Sequence, residues 1–324
     1  MIKIKKLEKK NKDKLFFFLK KNWKKNYILC KHKKLFDWQF FNNLNYNFYV
    51  ALNKNKKVVG CLGFINDAHF DKKIKKQNDR FWIVNWLSNS NYSFLGIKLL
   101  NFFIKQQKPY FVGTIGCNFH AKNIYSKLGF VVGEMKCGFL TNYTSRPKIM
   151  SHKKFPLKKT IVNKKISLVR SFDIKNISNF ITNKSKNFIK NRYLNHPVYD
   201  YQIYEVLLDN HYKGYVVARK VEHKSSFALK IVDFDLRKIS LLKDCLAILL
   251  KDNIYEYCII YYHFTQNFKN KSLKLMKLNK SVIIPHYFNP FLKENIKLNF
   301  AYKYLNKKKN ETLFVLGDCD QDRP

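Results

Sequence analysis

The chain has 324 residues, of which 46% are hydrophobic and 16% aromatic, so it has enough apolar material for two packed cores and is not globally disordered. Its formal net charge of +41 points first to nucleic acid or an anionic membrane surface, yet only seven of the 63 basic residues are arginines. Because arginine supplies the bidentate contacts to bases and phosphates, we interpret the lysines mainly as solvated surface charge and disfavour nucleic acid as a partner.

The spacing of the cysteines and the lengths of the apolar runs indicate in which cellular compartment we expect the protein. Seven cysteines occur without a CxxC pair or a histidine at metal-ligand spacing, so we expect reduced thiols in a cytoplasmic protein and no metal site. The apolar run at 15–19 is closed by two lysines and is too short for a signal-peptide core. No later apolar run approaches the ~18 residues that a spanning helix needs, so we expect no membrane span.

The first 145 residues predict one α/β unit. The predicted elements, in chain order, are an amphipathic helix within 1–27, two strands within 47–64 around a turn at 53–57, a strand at 81–87, a helix at 96–107, a strand at 110–116 and a short helix at 120–130 that ends on Gly129. The order hairpin, strand, helix, strand, helix is typical of a layered α/β (α+β) sheet domain.

The later residues repeat this order more faintly. A polar stretch with two prolines at 146–165 predicts a linker, and 166–324 a second domain. Its elements are two strands within 203–221, a strand at 227–236, a helix at 240–252 and a strand at 255–264. Two tandem copies of one unit are the natural interpretation, although any small α/β domain would give the same alternation, and the pattern leaves both open.

Three segments of the first half resemble the GNAT acyltransferases (GCN5-related N-acetyltransferases): 57–64, 82–100 and 118–130. The resemblance implies, for each tandem domain, a mixed, mostly antiparallel sheet with a splayed parallel strand pair, flanked by helices. It also implies that the pantetheine arm of acetyl-CoA, or of another acyl-CoA, lies in the gap between the splayed strands. The second domain would be a degenerate copy.

The phosphate-binding turn of that family has Gln or Arg, two residues, Gly, one residue, then Gly or Ala. Here Asn91 and Phe94 replace the first two elements and Gly96 keeps the last. A helix N-terminus attracts anions through its free amides and dipole, which tolerates such side-chain changes. The cofactor-binding residues that the resemblance implies are Trp86, Leu87, Asn91, Leu95, Gly96, Ile97, Asn118 and Ala121.

The segment 118–130 matches the family signature more specifically, and the resemblance implies that Tyr125 protonates the departing CoA thiolate. The alternative is a ring that only packs on the sheet. Asp67 and Glu134 are candidates for a general base, because they follow the second hairpin strand and the Gly129 stop; a solvated surface position is the alternative for each.

A wider resemblance, carried together by 82–86, 113–121, 282–291 and 317–324, is to acetyltransferases of surface-polysaccharide and nucleotide-sugar biosynthesis. It implies a small-molecule amine acceptor such as a nucleotide-linked amino sugar. Asp318, Asp320 and Asp322 alternate like a calcium loop but lack its later Gly and Glu, so we interpret them instead as an acidic tail that folds over a basic or amine-bearing site.

Two other functions stay open at this point. The departures at Asn91 and Phe94 also fit a GNAT-shaped binding module without catalysis, whose lysine-rich surface would hold nucleic acid or another anionic partner. Aminoacyl transfer from tRNA by a tandem GNAT pair is a third possibility, without a residue that specifically supports it. The sequence does not specify the oligomeric state.

Overall fold

The computed structural model describes residues 2–142, 147–152, 165–173, 177, 180–182, 184–251, 254–265, 273–306 and 313–321. The helices and strands of the first part are β1 (Lys3–Glu8), α1 (Lys12–Asn22), α2 (Ile28–Lys31), α3 (Lys33–Phe40), β2 (Phe41–Asn42), β3 (Asn45–Leu52), β4 (Val58–Asn66), α4 (Asp67–Phe70), β5 (Arg80–Ser88), α5 (Leu95–Gln107), β6 (Phe111–Cys117), α6 (Phe119–Lys127), β7 (Val131–Glu134) and β8 (Lys136–Thr141).

Those of the later part are β9 (Ser151–His152), β10 (Ile166–Ser171), α7 (Lys186–Ile189), β11 (Tyr201–Leu208), β12 (His211–His223), β13 (Ser226–Leu236), α8 (Leu241–Leu249), β14 (Tyr255–Phe264), β15 (Val282–Ile283), β16 (Asn299–Tyr304) and β17 (Leu313–Val315). A π-helical turn, Lys190–Leu194, continues α7, and a 3-10 turn, Leu316–Asp318, follows β17. No helix of the described ranges is both long enough and apolar enough to cross a membrane.

Two mixed sheets organise these elements. The first has the strand order β1-β3-β4-β5-β6-β16-β7, with β2 also on β3, and the second has β10-β11-β12-β13-β14-β17, with β8 also on β14. In each sheet antiparallel neighbours lead to one parallel pair, β5 with β6 and β13 with β14. The predicted fold class, a mixed and mostly antiparallel sheet with a parallel pair flanked by helices, is confirmed.

The N-terminal helix prediction is wrong in part. Lys3–Glu8 form strand β1, which pairs antiparallel with β3, and α1 begins only at Lys12. Leu7 is fully buried within that strand, so its apolar side chain is used by sheet packing rather than by a helix face. The later predicted elements of the first half lie within three residues of their predicted positions, and Gly129 adopts a φ of 75° just after α6, as a helix stop requires.

The two sheets exchange strands across the middle of the chain. Strand β16 lies between β6 and β7 of the first sheet, whereas β8 pairs with β14 of the second. The predicted linker lies largely outside the described residues, and its described part includes β9, which pairs with β15. The division into domains 1–145 and 166–324 stays a prediction, and the sheets cross it.

Aromatic packing joins the halves. Trp82 of β5 is fully buried, with ring centroids 5.2 Å from both Phe111 of β6 and Phe314 of β17. Each such aromatic pair adds roughly 0.5–1.5 kcal/mol beyond the burial of its area. The C-terminal strand is therefore anchored directly behind the parallel pair of the first sheet.

Candidate active site

The parallel pair of the first sheet opens along its length. Strand β5 pairs with β6 only over three residues, from Arg80 opposite Phe111 to Trp82 opposite Gly113. Beyond that point β5 continues to Ser88 and β6 to Cys117 without further pairing between them. The two strands therefore diverge and leave backbone edges facing each other across a wedge.

A cavity of about 790 Å³ lies at this wedge. Ile83, Val84 and Trp86 of β5 line one side, and Thr114–Cys117 of β6 line the other. The remaining lining comes from α6, from the segment 23–32 between α1 and α3, and from later residues at 287–292 and 320–321. The site is thus built from both halves of the chain.

Tyr125 lies on α6 against this cavity. Its side chain is buried, with 1% of the residue exposed, yet it is among the lining residues. The ring centroid lies 4.9 Å from that of Trp86 and 4.9 Å from that of Phe130. Burial raises the pKa of the Tyr125 phenol well above its ordinary value, and the neighbouring Cys117 and Cys319 raise it further. The phenol therefore keeps its proton at neutral pH and has one to donate.

Asn118 and Ala121 begin the same helix. The Asn118 side-chain oxygen accepts a hydrogen bond of 2.8 Å from the Ala121 amide, the usual role of Asn at a helix N-cap. Both residues line the cavity. The cap fixes where α6 starts relative to the end of β6, and so it fixes where Tyr125 stands relative to the wedge.

The start of α5 has the geometry of an anion site without the usual glycine. Phe94, 75% exposed, holds a left-handed φ of 59° just before the helix, and it forms no side-chain cap. The Trp86 indole nitrogen donates a hydrogen bond of 2.9 Å to the Gly96 carbonyl, which ties the helix start to β5. A Cβ at Gly96 would lie 3.3 Å from that nitrogen, so this position favours a residue without a side chain.

The other predicted cofactor residues lie near the helix start but outside the cavity lining. Leu95 is buried in the core under α5, and Leu87 and Ile97 are half-buried. Asn91 is exposed, and its backbone amide donates to the Asn89 side chain at 2.9 Å. Of the eight predicted residues, the cavity brings together Trp86, Asn118 and Ala121.

The structure does not bring Asp67 or Glu134 to the cavity. Asp67 is buried and accepts a hydrogen bond of 2.7 Å from the Arg80 guanidinium. Burial raises the pKa of Asp67, and Arg80 offsets part of the rise. Glu134 lies on β7 with 46% of its side chain exposed, 3.8 Å from the Lys297 ammonium. Asp67 is thus part of a buried ion pair, and Glu134 lies at the surface.

Sequence reasoning named no individual residue after β17 as a site residue. Cys319 places its sulfur 3.9 Å from the Ile83 carbonyl oxygen and 3.9 Å from that of Ile115, directly between the diverging strands. The following two residues, Asp320 and Gln321, line the cavity. The alternating aspartates are the signal that pointed here, through the interpretation of an acidic tail over an amine-bearing site.

Gly116 makes room for this segment. Its φ of 80° lies in the left-handed region, and a Cβ there would lie 2.3 Å from the Gln321 side-chain carbon. Glycine is the residue that satisfies both the backbone conformation and the close approach. The end of β6 is therefore shaped to receive the C-terminal segment.

The corresponding wedge of the second sheet is filled. Strand β13 pairs with β14 only as far as Ile231 opposite Ile260. Further along β14, Tyr262 pairs with Val315 of β17 and, on its other edge, with Lys136 of β8. Strands β8 and β13 pair with opposite edges of β14. Since Tyr262 pairs with β8 on one edge, β17 pairs with the other edge, where β13 pairs earlier along the strand. Among the described residues, the chain's own strand closes this second opening.

Comparison with known proteins identifies the fold. No protein-family model and no curated protein sequence matches the chain. Among solved structures, a GCN5-related N-acetyltransferase from Anabaena variabilis is similar with a TM-score of 0.60 at 12% identity, over 94% of this chain and 73% of that one. A conserved Enterococcus faecalis protein of unknown function gives a TM-score of 0.53 at 9% identity, over 94% and 72%. The fold is therefore that of the GCN5-related N-acetyltransferases, as the sequence resemblance implied.

Proposed function

We propose that this protein is an acyl-CoA-dependent N-acyltransferase of the GNAT type, whose active site is the wedge of the first sheet. The observation that carries the proposal is the divergence of β5 from β6 onto a cavity bordered by Tyr125. The filled wedge of the second sheet supports the assignment of the first as the active one.

The residues around the wedge fit the parts of an acyl-CoA. The unpaired edge of β5 at Trp86 and Leu87 offers backbone groups to the amides of a pantetheine arm. The start of α5, where no side chain caps the helix, offers the amides of Gly96 and Ile97 and a positive dipole end to the pyrophosphate, whereas the Leu95 amide donates to the Tyr92 carbonyl at 3.3 Å. The left-handed turn at Phe94 keeps the backbone path that a glycine would give.

Tyr125 supplies the proton that the reaction needs at sulfur. An amine nitrogen attacks the thioester carbon, a C–N bond forms and the C–S bond breaks, so the sulfur leaves with an electron pair. The Tyr125 hydroxyl donates its proton to that sulfur. Its raised pKa keeps the hydroxyl protonated at neutral pH, so the proton is available. The proton lost by the nitrogen passes to a base.

The acceptor that we propose is a small-molecule amine, with a nucleotide-linked amino sugar as the first class to examine and acetyl-CoA as the donor. Lys24 and Lys31 line the cavity and give it cationic groups suited to an anionic part of donor or acceptor. The polysaccharide-related resemblance of 282–291 supports this choice, because residues 287, 289 and 290 of that segment line the cavity.

Isothermal titration with acetyl-CoA, together with thiol release in the presence of amines, tests the proposal. We expect Tyr125→Phe to bind acetyl-CoA as the natural protein does and to lose roughly 10²- to 10⁴-fold in kcat. The matched control is Tyr212→Phe, because the buried Tyr212 hydroxyl has no hydrogen-bond partner among the described residues. Absence of binding at millimolar acetyl-CoA would refute the proposal and favour the non-catalytic module.

A further inference from the structure

The segment after β17 is held by buried cations. The Asp318 carboxylate is fully buried and lies 3.1 Å from the Arg80 guanidinium and 2.8 Å from the Lys184 ammonium. Burial alone would raise the pKa of Asp318, but Lys184 and Arg80 hold it below its ordinary value. The Arg192 guanidinium donates to the carbonyl oxygens of Gly317 and Cys319, at 3.2 and 2.9 Å. The backbone on both sides of Asp318 is therefore fixed.

This fixed segment carries a carboxylate into the cavity. Asp320 is 2% exposed, and it is the only Asp or Glu among the described residues that line the cavity. Its Oδ1 accepts hydrogen bonds from the Gln321 side-chain Nε2 at 3.1 Å and from the Cys319 thiol at 3.6 Å. The acidic group is thus oriented by its neighbours and borders the same space as Tyr125.

The other titratable groups around the space have different chemistry. The cavity lining contributes Lys24, Tyr27, Lys31, His32, Cys117, Tyr125 and Tyr287, and Cys319 adjoins it. Burial raises the pKa of the Cys117 thiol to about 11, so that thiol stays protonated at neutral pH. A carboxylate at the end of a cavity attracts a cation, and an ammonium group is the cation that an N-acyltransferase must accept.

We infer that Asp320 binds the acceptor amine as its ammonium ion and acts as the general base; this inference rests on the proposed function. The Asp320 carboxylate first takes one proton from the ammonium ion and passes it to solvent, which frees the nitrogen lone pair for attack on the thioester carbon. It then takes a second proton from nitrogen as the C–N bond forms, and Tyr125 gives a proton to sulfur as the C–S bond breaks. Asp320 ends protonated and Tyr125 ends deprotonated. Transfer of one proton between them through water restores both, so that the reaction is balanced. Arg80, Lys184 and Arg192 are positioning residues, since they act through the backbone that carries Asp320.

The test compares acceptors that need a base with one that does not. Thiol release from acetyl-CoA is measured with benzylamine and glucosamine, and with hydroxylamine, which is unprotonated at neutral pH. We expect Asp320→Asn to lower kcat/KM for benzylamine and glucosamine by roughly 10²- to 10⁴-fold and to affect hydroxylamine by less than about 10-fold. The loss should shrink as the pH rises toward the pKa of the amine. Asp320→Glu should restore part of the rate.

The control and the contrary outcomes separate this inference from the proposed function. Asp209→Asn removes a carboxylate that is 54% exposed on a turn, at a left-handed φ of 50° that Asn tolerates, and should leave all rates unchanged. An equal loss of Asp320→Asn with every acceptor, or no loss, overturns the role of Asp320. Acetyl-CoA binding without transfer to any amine overturns the amine assignment alone. Failure to bind acetyl-CoA removes the proposed function and this inference together.

Discussion

Replacing Lys184 by methionine should destabilise the protein strongly, because the ammonium lies between two buried carboxylates. Its nitrogen is 2.7 Å from Asp233 and 2.8 Å from Asp318, and all three side chains are at most 1% exposed. Among the side chains that the structure describes, methionine leaves Asp233 with the Tyr193 hydroxyl, at 2.5 Å, and leaves Asp318 with Arg80. Removing one partner of a buried ion pair typically costs 3–5 kcal/mol, and we expect about that loss in the free energy of unfolding.

Asp318→Asn provides the comparison, since it removes charge of the opposite sign. Each cation then keeps one carboxylate, Arg80 with Asp67 at 2.7 Å and Lys184 with Asp233. The remaining charges balance, so we expect a loss of only about 1–3 kcal/mol, the usual cost of an unsatisfied buried polar group. The double variant should lose less than the sum of the two single variants, by about 0.5–3 kcal/mol, because the two side chains interact directly.

Urea unfolding, followed by fluorescence and circular dichroism, measures these differences. Lys186→Met is the matched control: its ammonium pairs with Asp173 at 3.1 Å, but the two side chains are 46% and 68% exposed, so the expected change is below about 1 kcal/mol. Burial raises the pKa of Asp233, so Lys184→Met should recover stability as the pH is lowered and Asp233 takes up a proton. A smaller loss for Lys184→Met than for Asp318→Asn would refute the reasoning.

Two further predictions concern single positions. Phe94→Gly should raise the free energy of unfolding by about 0.5–1 kcal/mol, because relief of the left-handed φ of 59° outweighs the added freedom of glycine in the unfolded chain; a lower Tm would contradict this. Burial raises the pKa of Asp79 to about 7, above its unfolded value near 4, so this group's stabilisation is present at low pH and lost as the pH rises through 7. Asp79→Asn should remove a pH-dependent term of at most about 4 kcal/mol between pH 4 and 7, and an unchanged slope in unfolding titrations would count against it.

The elements that the sequence predicts well are those with local signals. The hairpin of β3 and β4 has apolar arms around a polar tip, and the tip is closed by Asn53, whose side chain accepts from the amides of Asn55 and Lys57. Helix α6 has its N-cap at Asn118 and its stop at Gly129. Each of these signals lies within a few residues of the structure that it specifies, so no knowledge of distant partners is needed.

The exchanged strands could not be predicted in this way. Strand β16 lies between β6 and β7 although about 180 residues separate Asn299 from Cys117, its pairing partner. Nothing in the local pattern of β16 distinguishes this partner from a neighbour in its own half. The same holds for β17, whose three residues form too short a pattern to predict a strand at all.

Sequence reasoning predicted the roles of charged residues less well than it predicted the helices and strands. Asp67 follows a strand where acceptors meet this fold, and that position made it a candidate for the general base, with a solvated surface position as the alternative. The structure instead pairs it with Arg80, 13 residues later, in a buried pair that Asp318 joins from the far end of the chain. An aspartate that serves a buried ion pair and one that serves catalysis have the same sequence appearance. Position in the fold distinguishes them, because Asp67 pairs with Arg80 outside the cavity lining.

Strand β17 affects both wedges. We propose that it makes the second wedge inactive and that the residues after it help to form the active site at the first. Because β17 takes the free edge of β14, no edge remains there for a pantetheine arm. The chain leaving β17 then turns at Leu316–Asp318 and reaches the first wedge within one residue, at Cys319. One short segment therefore closes one opening and completes the other. If Asp320 acts as we propose, a change that frees β17 from β14 should also withdraw Asp320 from the cavity, and the second sheet then contributes to the reaction by holding this segment in place.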